Sequence, residues 1–353
     1  MISRRKFIRN TAVTGAGTFF FNSGYAHSQP EISFGCFDLH SHPGLFMNKG
    51  LPNYSGDEMV IKTFKEMRGV HSSGAFVGLV ADAPLLEITP TGIKVAKIYQ
   101  AGEGAIEYQR QKNILQDFFK ELAIHPATKA ADFDNHSIEK KPTLFISCEG
   151  GDFLEGKTEL LDQMYSDGVR SLQVVHYAPS LLGDLQTQPT QHNGLSTAGK
   201  AVVKKMNQLN MLVDVAHASF KTVQDVVAIT DAPIMLSHSI LTMDGDRPVS
   251  QRAITIEHAK LVASTGGIVG AWPSGFNKSF DEYADNILRL IDAIGIDHVA
   301  IGTDMDGNFK PVLGSYLQMP LLAEMLQKKG LSVNDVAKVM NGNAKRVIRK
   351  VLR

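Results

Sequence analysis

Five of the twelve histidines in this 353-residue chain read as working residues, four of them in company that can hold a metal ion. His40 and His42 flank Ser41, and in an extended segment alternate residues point the same way, so both imidazoles can reach one ion. Glu149, His217 and His238 add one carboxylate and two more imidazoles, a donor mixture that suits zinc in a catalytic site with open coordination positions. A carboxylate between two ions roughly 3.5–4 Å apart lets both acidify a shared water and polarise a scissile carbonyl. Asp304 is then placed to hold or deprotonate that water, while Asp306-Gly307 just beyond it reads as an ordinary turn. The fifth histidine, His176, can donate a hydrogen bond to a developing oxyanion, and Arg247 can clamp a substrate carboxylate, with a solvated surface position as the alternative for the arginine. Asp38 and Asp214 lie inside neighbouring apolar runs, where each can support a ligating histidine from behind.

His40, His42, Glu149, His176, His217, His238 and Asp304 share a position: each follows the end of a short apolar run. The runs are Gly35–Leu39, Ala75–Val80, Thr143–Ser147, Ser171–Val175, Met211–Val215, Ile234–Ser237, Gly267–Ala271 and His298–Gly302, each bounded by polar residues or glycine as expected of strands buried on both faces. Amphipathic stretches such as Ala198–Leu209, Phe220–Ile229, Ile254–Ser264 and Tyr283–Ile294 separate them. Eight strands alternating with helices predict an α/β fold, a (β/α)8 TIM-type barrel, with a long helical insertion after strand 2 over Gly92–Ala131. The working residues of such a barrel collect at the C-terminal ends of its strands. An open doubly wound sheet is the rival, but no glycine-rich dinucleotide loop follows the first strand. His27, His71, His125, His136, His192, His258 and His298 fall elsewhere and read as structural or solvated. Trp272-Pro273, after strand seven, offers either an aromatic wall for a substrate or ordinary packing.

Lysine plus arginine equal aspartate plus glutamate at 36 each, so no net field draws the chain to nucleic acid or to an anionic membrane. Cys36 and Cys148 are too few for a disulfide framework and read as buried thiols. At the N-terminus, Arg4-Arg5 precedes a moderately apolar stretch from Thr11 to Phe21, and Ala26-His27-Ser28 supplies small residues at cleavage spacing. Residues 1–28 therefore read as a twin-arginine export signal, with periplasmic or extracellular delivery. The apolar run is shorter than the roughly 20 residues that span a bilayer, so no stable membrane insertion is expected after cleavage. Residues 29–353 are expected to form one barrel domain, with a homodimer as one arrangement open to it.

Taken in order, the blocks Asp38-Leu39-His40, Glu149-Gly150-Gly151, Gly168-Val169-Arg170 with His176, Gly194-Leu195-Ser196, Val213 to Ser219, Ser237-His238-Ser239, Gly302 to Gly307 and Gly342-Asn343 with Arg346 resemble the membrane (renal-type) dipeptidases, binuclear zinc peptidases of the amidohydrolase barrel type. The resemblance runs from about Phe37 to Val347. It implies His40 and the residue at position 42 on one zinc, His217 and His238 on the other, and Glu149 as the bridge between the two Zn2+ ions. It further implies acid–base work for Asp304, substrate contacts for His176 and Arg247, and a small dipeptide-like substrate, L,D forms included, cleaved at its amide bond. Three positions depart from the family pattern: His42 replaces an aspartate, Tyr177 an asparagine after the strand-four histidine, and Pro248 an asparagine after the substrate arginine. The altered pocket keeps open another small amide, a lactam or an ester as substrate, and a metal-binding relative without catalysis.

Overall fold

In the computed structural model, which describes residues 35–52, 54–69, 74–89, 92–133 and 141–352, the apolar runs become strands of one closed parallel barrel. In chain order the strands are Phe37–Ser41 (β1), Gly74–Val80 (β2), Leu86–Thr89 (β3), Gly92–Val95 (β4), Thr143–Glu149 (β5), Val169–Gln173 (β6), Leu212–Asp214 (β7), Met235–Ser239 (β8), Ile268–Ala271 (β9) and Val299–Ile301 (β10). The barrel closes in the order β1-β10-β9-β8-β7-β6-β5-β2, leaving β3 and β4 as a separate antiparallel pair. The long stretch after the second strand thus opens with a hairpin, and its helix, Glu103–Glu121, starts later than the sequence suggests. Each strand of that hairpin alternates apolar and polar residues, Leu86-Glu87-Ile88-Thr89 and Ile93-Lys94-Val95, but at four residues apiece the runs are too short to stand out from the helical reading of the stretch. The proposed export signal at residues 1–28 lies outside the described residues, as do His71 and His136. Among the described residues no helix is long and apolar enough to cross a membrane.

Four of the barrel helices start where a loop ends in a capping residue. Ser196, Ser219, Thr255 and Ser279 accept hydrogen bonds from the backbone N–H of Gly199, Thr222, His258 and Glu282, which satisfies a donor that the first helical turn leaves open. The helix Phe280–Ile294 then buries Tyr283, Ala284, Ile287 and Leu290, spaced three or four apart so that one stripe faces the sheet. Inside the lower barrel, Phe37, Leu39, Phe76, Phe145, Leu212, Met235, Ile268 and Ala300 pack with Val347 and Ile348 of the helix Asn343–Val351, which plugs that end. Each such side chain contributes roughly 1.5–3 kcal/mol when fully buried.

Two irregularities aim the chemistry. Between Asp38 and Ser41, three residue steps on β1 match two on β2, and between Leu236 and Ser239 the same happens on β8 against β9. Strict alternation would send His40 and His238 to the face opposite Leu39 and Ser237. A bulge at each position turns the histidine back toward the barrel axis. The barrel is correspondingly tight beside β8: a Cβ on Gly270 would stand 1.8 Å from the Ser237 carbonyl oxygen, and one on Gly302 only 1.7 Å from it. Gly270→Ala should therefore destabilise the barrel by about 3 kcal/mol or more, read as a lowered midpoint in thermal unfolding followed by circular dichroism; an unchanged midpoint would refute this account of the packing.

Candidate metal centre

Four strand ends deliver five ligand candidates to one buried place. Glu149, the last residue of β5, is 3% exposed. Its Oε1 lies 3.1 Å from His40 Nε2 and 3.3 Å from His217 Nε2, and its Oε2 lies 3.0 Å from His42 Nε2. His238 Nε2 is 3.8 Å from Oε1. The rings also meet in pairs, His40 Nε2 to His42 Nε2 at 2.9 Å and His217 Nε2 to His238 Nε2 at 3.0 Å. Two three-residue groups result, His40–His42–Glu149 and Glu149–His217–His238, joined through the carboxylate. The geometry thus brings all five residues together and gives Glu149 the shared position. His40, Glu149 and His238 sit within strands rather than after them, since β1, β5 and β8 run further than the apolar runs indicate.

The donor chemistry fits a cation. His42 Nδ1–H donates to the Gly78 carbonyl at 3.1 Å, and His238 Nδ1 lies 3.0 Å from Ser237 Oγ. Such outer hydrogen bonds fix the ring tautomer and turn the Nε2 lone pair inward. Lone pairs facing one another beside a carboxylate repel without a positive charge among them. Protons supply part of that charge: burial works to lower the His40 pKa, but the Glu149 charge and hydrogen bond raise it to about 9. Burial opposes the ionised form of Glu149, yet His176 and His40 hold its pKa well below the usual carboxylate value. His217 and His238 go the other way, pushed well below 6.5 by burial and by neighbouring cations, so both present the neutral form a metal takes.

Backbone anchors hold these rings. Asp214, in β7, accepts from the N–H groups of Ala216 and Ser237, each at 3.0 Å, and so ties down the residues before His217 and His238. Asp38 accepts from the N–H of His40 at 3.2 Å and of Thr303 at 2.8 Å, and from the Tyr316 hydroxyl at 2.6 Å. The support expected of both aspartates therefore passes through main chain rather than through imidazole nitrogens. His217 and Asp304 adopt left-handed backbone angles, φ 64° and 54°, which cost a non-glycine residue about 1–3 kcal/mol and concentrate at functional sites. The His217 carbonyl accepts from Gln186 N at 2.8 Å, and Asp304 N donates to the His40 carbonyl at 3.0 Å. Asp304 Oδ1 stands 3.5 Å from His42 Nε2, and burial raises its carboxyl pKa to about 6.

On the substrate side, His176 joins the centre with Nε2 3.4 Å from Glu149 Oε1, while its Nδ1 pairs with Asp82 at 2.6 Å. Asp82, at 0% exposure, also accepts from the N–H of Tyr177 and Ala178, and nothing in its local sequence singled it out. The Tyr177 ring packs edge-on to His217 at 4.8 Å between centroids. Arg247 directs its guanidinium elsewhere: it pairs with Glu282 at 2.9 Å and donates to the Phe276 carbonyl at 3.0 Å. The arginine that reaches the centre from this loop is Arg252, which no motif in the sequence singles out. It is 2% exposed, with Nη2 3.4 Å from His238 Nε2, a hydrogen bond to Gln186, and its guanidinium over Trp272 at 5.7 Å. The signal that could have found it is its place three residues before the capping Thr255, whose helix start fixes where the loop's end must lie. Pro248, beside Arg247, accordingly concerns the loop and not the centre. Of the other histidines, His192 and His298 bond to backbone carbonyls, His258 is buried against Phe220, and His125 is exposed. Cys36 and Cys148 are buried and form no disulfide.

Residues 106–353 match the family described as membrane dipeptidase, peptidase family M19. The chain belongs to the membrane dipeptidase family. Among its relatives, dipeptidase aclJ of Aspergillus oryzae is 31% identical over 240 residues, 64% of this chain and 56% of that protein. Dipeptidase verJ of Clonostachys rogersoniana is 28% identical over 214 residues, 58% of this chain and 54% of that protein. The chain thus spans about half the length of the curated relatives it matches. A metallopeptidase of Rhodobacter sphaeroides, solved with a phosphinate mimic of the dipeptide L-Ala-D-Ala, superposes with a TM-score of 0.74 over 90% of this chain and 99% of that one at 19% identity. It shares the barrel fold. Within the membrane dipeptidase frame, His42 and Tyr177 are the departures that reach the centre, since both side chains touch ligand candidates.

Removing one ring should weaken metal binding. His217→Ala is expected to retain less metal per chain than the unaltered protein, counted by elemental analysis after dialysis; an unchanged metal content would exclude His217 as a ligand.

Proposed function

We propose that this chain is a zinc-dependent dipeptidase that hydrolyses the amide bond of small dipeptides, L,D as well as L,L, with two ions bridged by Glu149. The observation that carries the reading is the pairing of two ligand groups through one carboxylate with a buried guanidinium, Arg252, 3.4 Å from His238. Zinc held by His40, His42, Glu149, His217 and His238 would supply Lewis acidity toward the carbonyl and an acidified water as nucleophile. The remaining chemistry belongs to side chains. Arg252 binds the free carboxylate of the substrate by charge-assisted hydrogen bonds, and its anchoring by Gln186 fixes where the peptide lies. His176, oriented by Asp82, donates toward the carbonyl oxygen as negative charge builds there. Asp304, raised to about 6 by burial, accepts a proton as water attacks and passes it to the departing amine.

A single carboxylate handle and a single amide suit a two-residue substrate better than a longer peptide, because the guanidinium lies so close to the ligands. Tyr177 favours a second reading: its ring fills space over His217, and a pocket narrowed in this way also suits another small amide, a lactam or an ester. Export by the twin-arginine route, with delivery to the periplasm or beyond, is proposed on Arg4-Arg5 and the apolar stretch that follows. A small-molecule substrate, no nucleic acid and a homodimer complete the proposal.

Purified protein should cleave members of an L,L and L,D dipeptide panel, and a chelator should abolish the activity. Arg252→Ala should raise KM for carboxylate-bearing dipeptides about 10- to 100-fold, with Arg247→Ala changing it little, whereas Asp304→Asn should keep both ions and lose roughly 100-fold or more in kcat. Two bound ions without cleavage of any dipeptide would instead select the lactam or ester reading. Lysines in place of Arg4 and Arg5 should leave the protein in the cytoplasm on cell fractionation, and unchanged export would refute the twin-arginine assignment.

A further inference from the structure

Gly78 lies on β2 two residues after Phe76, on the face that turns to the barrel interior. Its backbone is not in the left-handed region, so conformational freedom does not explain a glycine here. Space does. A Cβ on Gly78 would stand 2.8 Å from His42 Cε1, 3.2 Å from His42 Nδ1 and 3.6 Å from His40 Cε1. The same residue offers its carbonyl to His42 Nδ1–H at 3.1 Å, the outer hydrogen bond that leaves Nε2 as the donor atom toward an ion. That Nε2 stands 3.0 Å from Glu149 Oε2 and 2.9 Å from His40 Nε2. Thus one position on the neighbouring strand both vacates the volume the ring fills and sets the ring's tautomer.

We propose that Gly78 and His42 form a matched pair that makes the first ion position an imidazole-rich site, His40–His42–Glu149, selective for zinc-class over manganese-class ions. The reason lies in the donor atoms. With an aspartate at position 42 the first ion would meet two carboxylates and one imidazole; with histidine it would meet one carboxylate and two imidazoles. Imidazole favours zinc, copper, iron and nickel, while carboxylate favours magnesium, calcium and manganese. A carboxylate side chain is shorter than an imidazole ring, so the exchange of aspartate for histidine needs room on the strand opposite, and glycine at 78 provides it.

The inference rests on the metal-centre part of the function proposed above and not on the choice of substrate. It is tested by counting ions on the full-length, zinc-reconstituted chain and by zinc–manganese competition, neither of which reads turnover. Wild type should carry two ions per chain, and Gly78→Ala about one. Adding His42→Asp to Gly78→Ala should restore the second ion, because the shorter side chain clears the new methyl. His42→Asp alone should keep two ions and move the zinc-to-manganese preference at least tenfold toward manganese. Two ions at wild-type affinity in Gly78→Ala, or a double variant with no more metal than the single one, would overturn the pairing; an unmoved preference in His42→Asp would overturn the selectivity. If Gly78→Ala does not fold, recovery of folded protein in the double variant supports the same clash, and a double variant that also fails to fold places the clash elsewhere and refutes the pair. Wild type without two ions would bring down the metal centre itself, whereas two ions without dipeptide cleavage would leave the Gly78–His42 pair standing.

Discussion

A single negative charge, buried at the end of β5, organises this molecule. An isolated carboxylate inside a barrel is costly because the low-dielectric interior cannot replace its hydration, and partners must compensate it. Glu149 meets five imidazole rings within 3.8 Å, those of His40, His42, His176, His217 and His238. Their responses differ with position: His40, closest to Oε1, is raised to about 9, while His217 and His238 are held neutral by burial and by the cations around them. The cluster is thus one anion surrounded by more donors than it can use, which is the arrangement that two dications would complete.

Bringing those rings inward imposes conditions on the barrel. Period-two alternation cannot place His40 and His238 inside together with Leu39 and Ser237, so β1 and β8 each carry a bulge. The Ser237 carbonyl on β8 leaves no room for a Cβ at Gly270 on the adjacent β9 or at Gly302, just past the end of β10. Asp214 and Asp38 then fix the displaced backbone through N–H groups. Strained left-handed residues at His217 and Asp304 persist because flanking hydrogen bonds and the following capped helix overdetermine them. Stability given up at the upper rim is offset by the aromatic layer beneath, where Phe37, Phe76, Phe133 and Phe145 lie with ring centroids 5.3–6.3 Å apart.

Around His176 and His238 the centre is framed by buried polar contacts. Asp82 holds His176 through its ring and Tyr177 and Ala178 through their backbone, so one buried carboxylate sets the direction of a whole loop. Arg252 is fixed between Gln186, Trp272 and His238, so its guanidinium would lose little freedom on meeting an anion. Arg247, already paired with Glu282, instead ties the loop after β8 to the start of the helix Phe280–Ile294. The two arginines share a loop and differ in what surrounds them, and the surroundings decide which one is available.

Residue types and spacing were enough to name the barrel, its eight strands to within a few residues, and the five ligand candidates. Hydrophobic periodicity is a local property, and polar residues that end apolar runs stand out against it. Local pattern gave little sign of the hairpin β3–β4, whose alternating strands are only four residues long, and could not show which arginine faces the ligands, because five positions of loop can turn either guanidinium inward. It could not show Asp82, which looks like any turn aspartate until the return of the chain at His176 closes the pair across 94 residues. Nor could it show that Gly78 and His42 share one volume, or that bulges on β1 and β8 reverse the expected facing of two histidines. Those features arise between strands, where volume must be filled once and buried polar groups must find partners, and only closure of the barrel determines them.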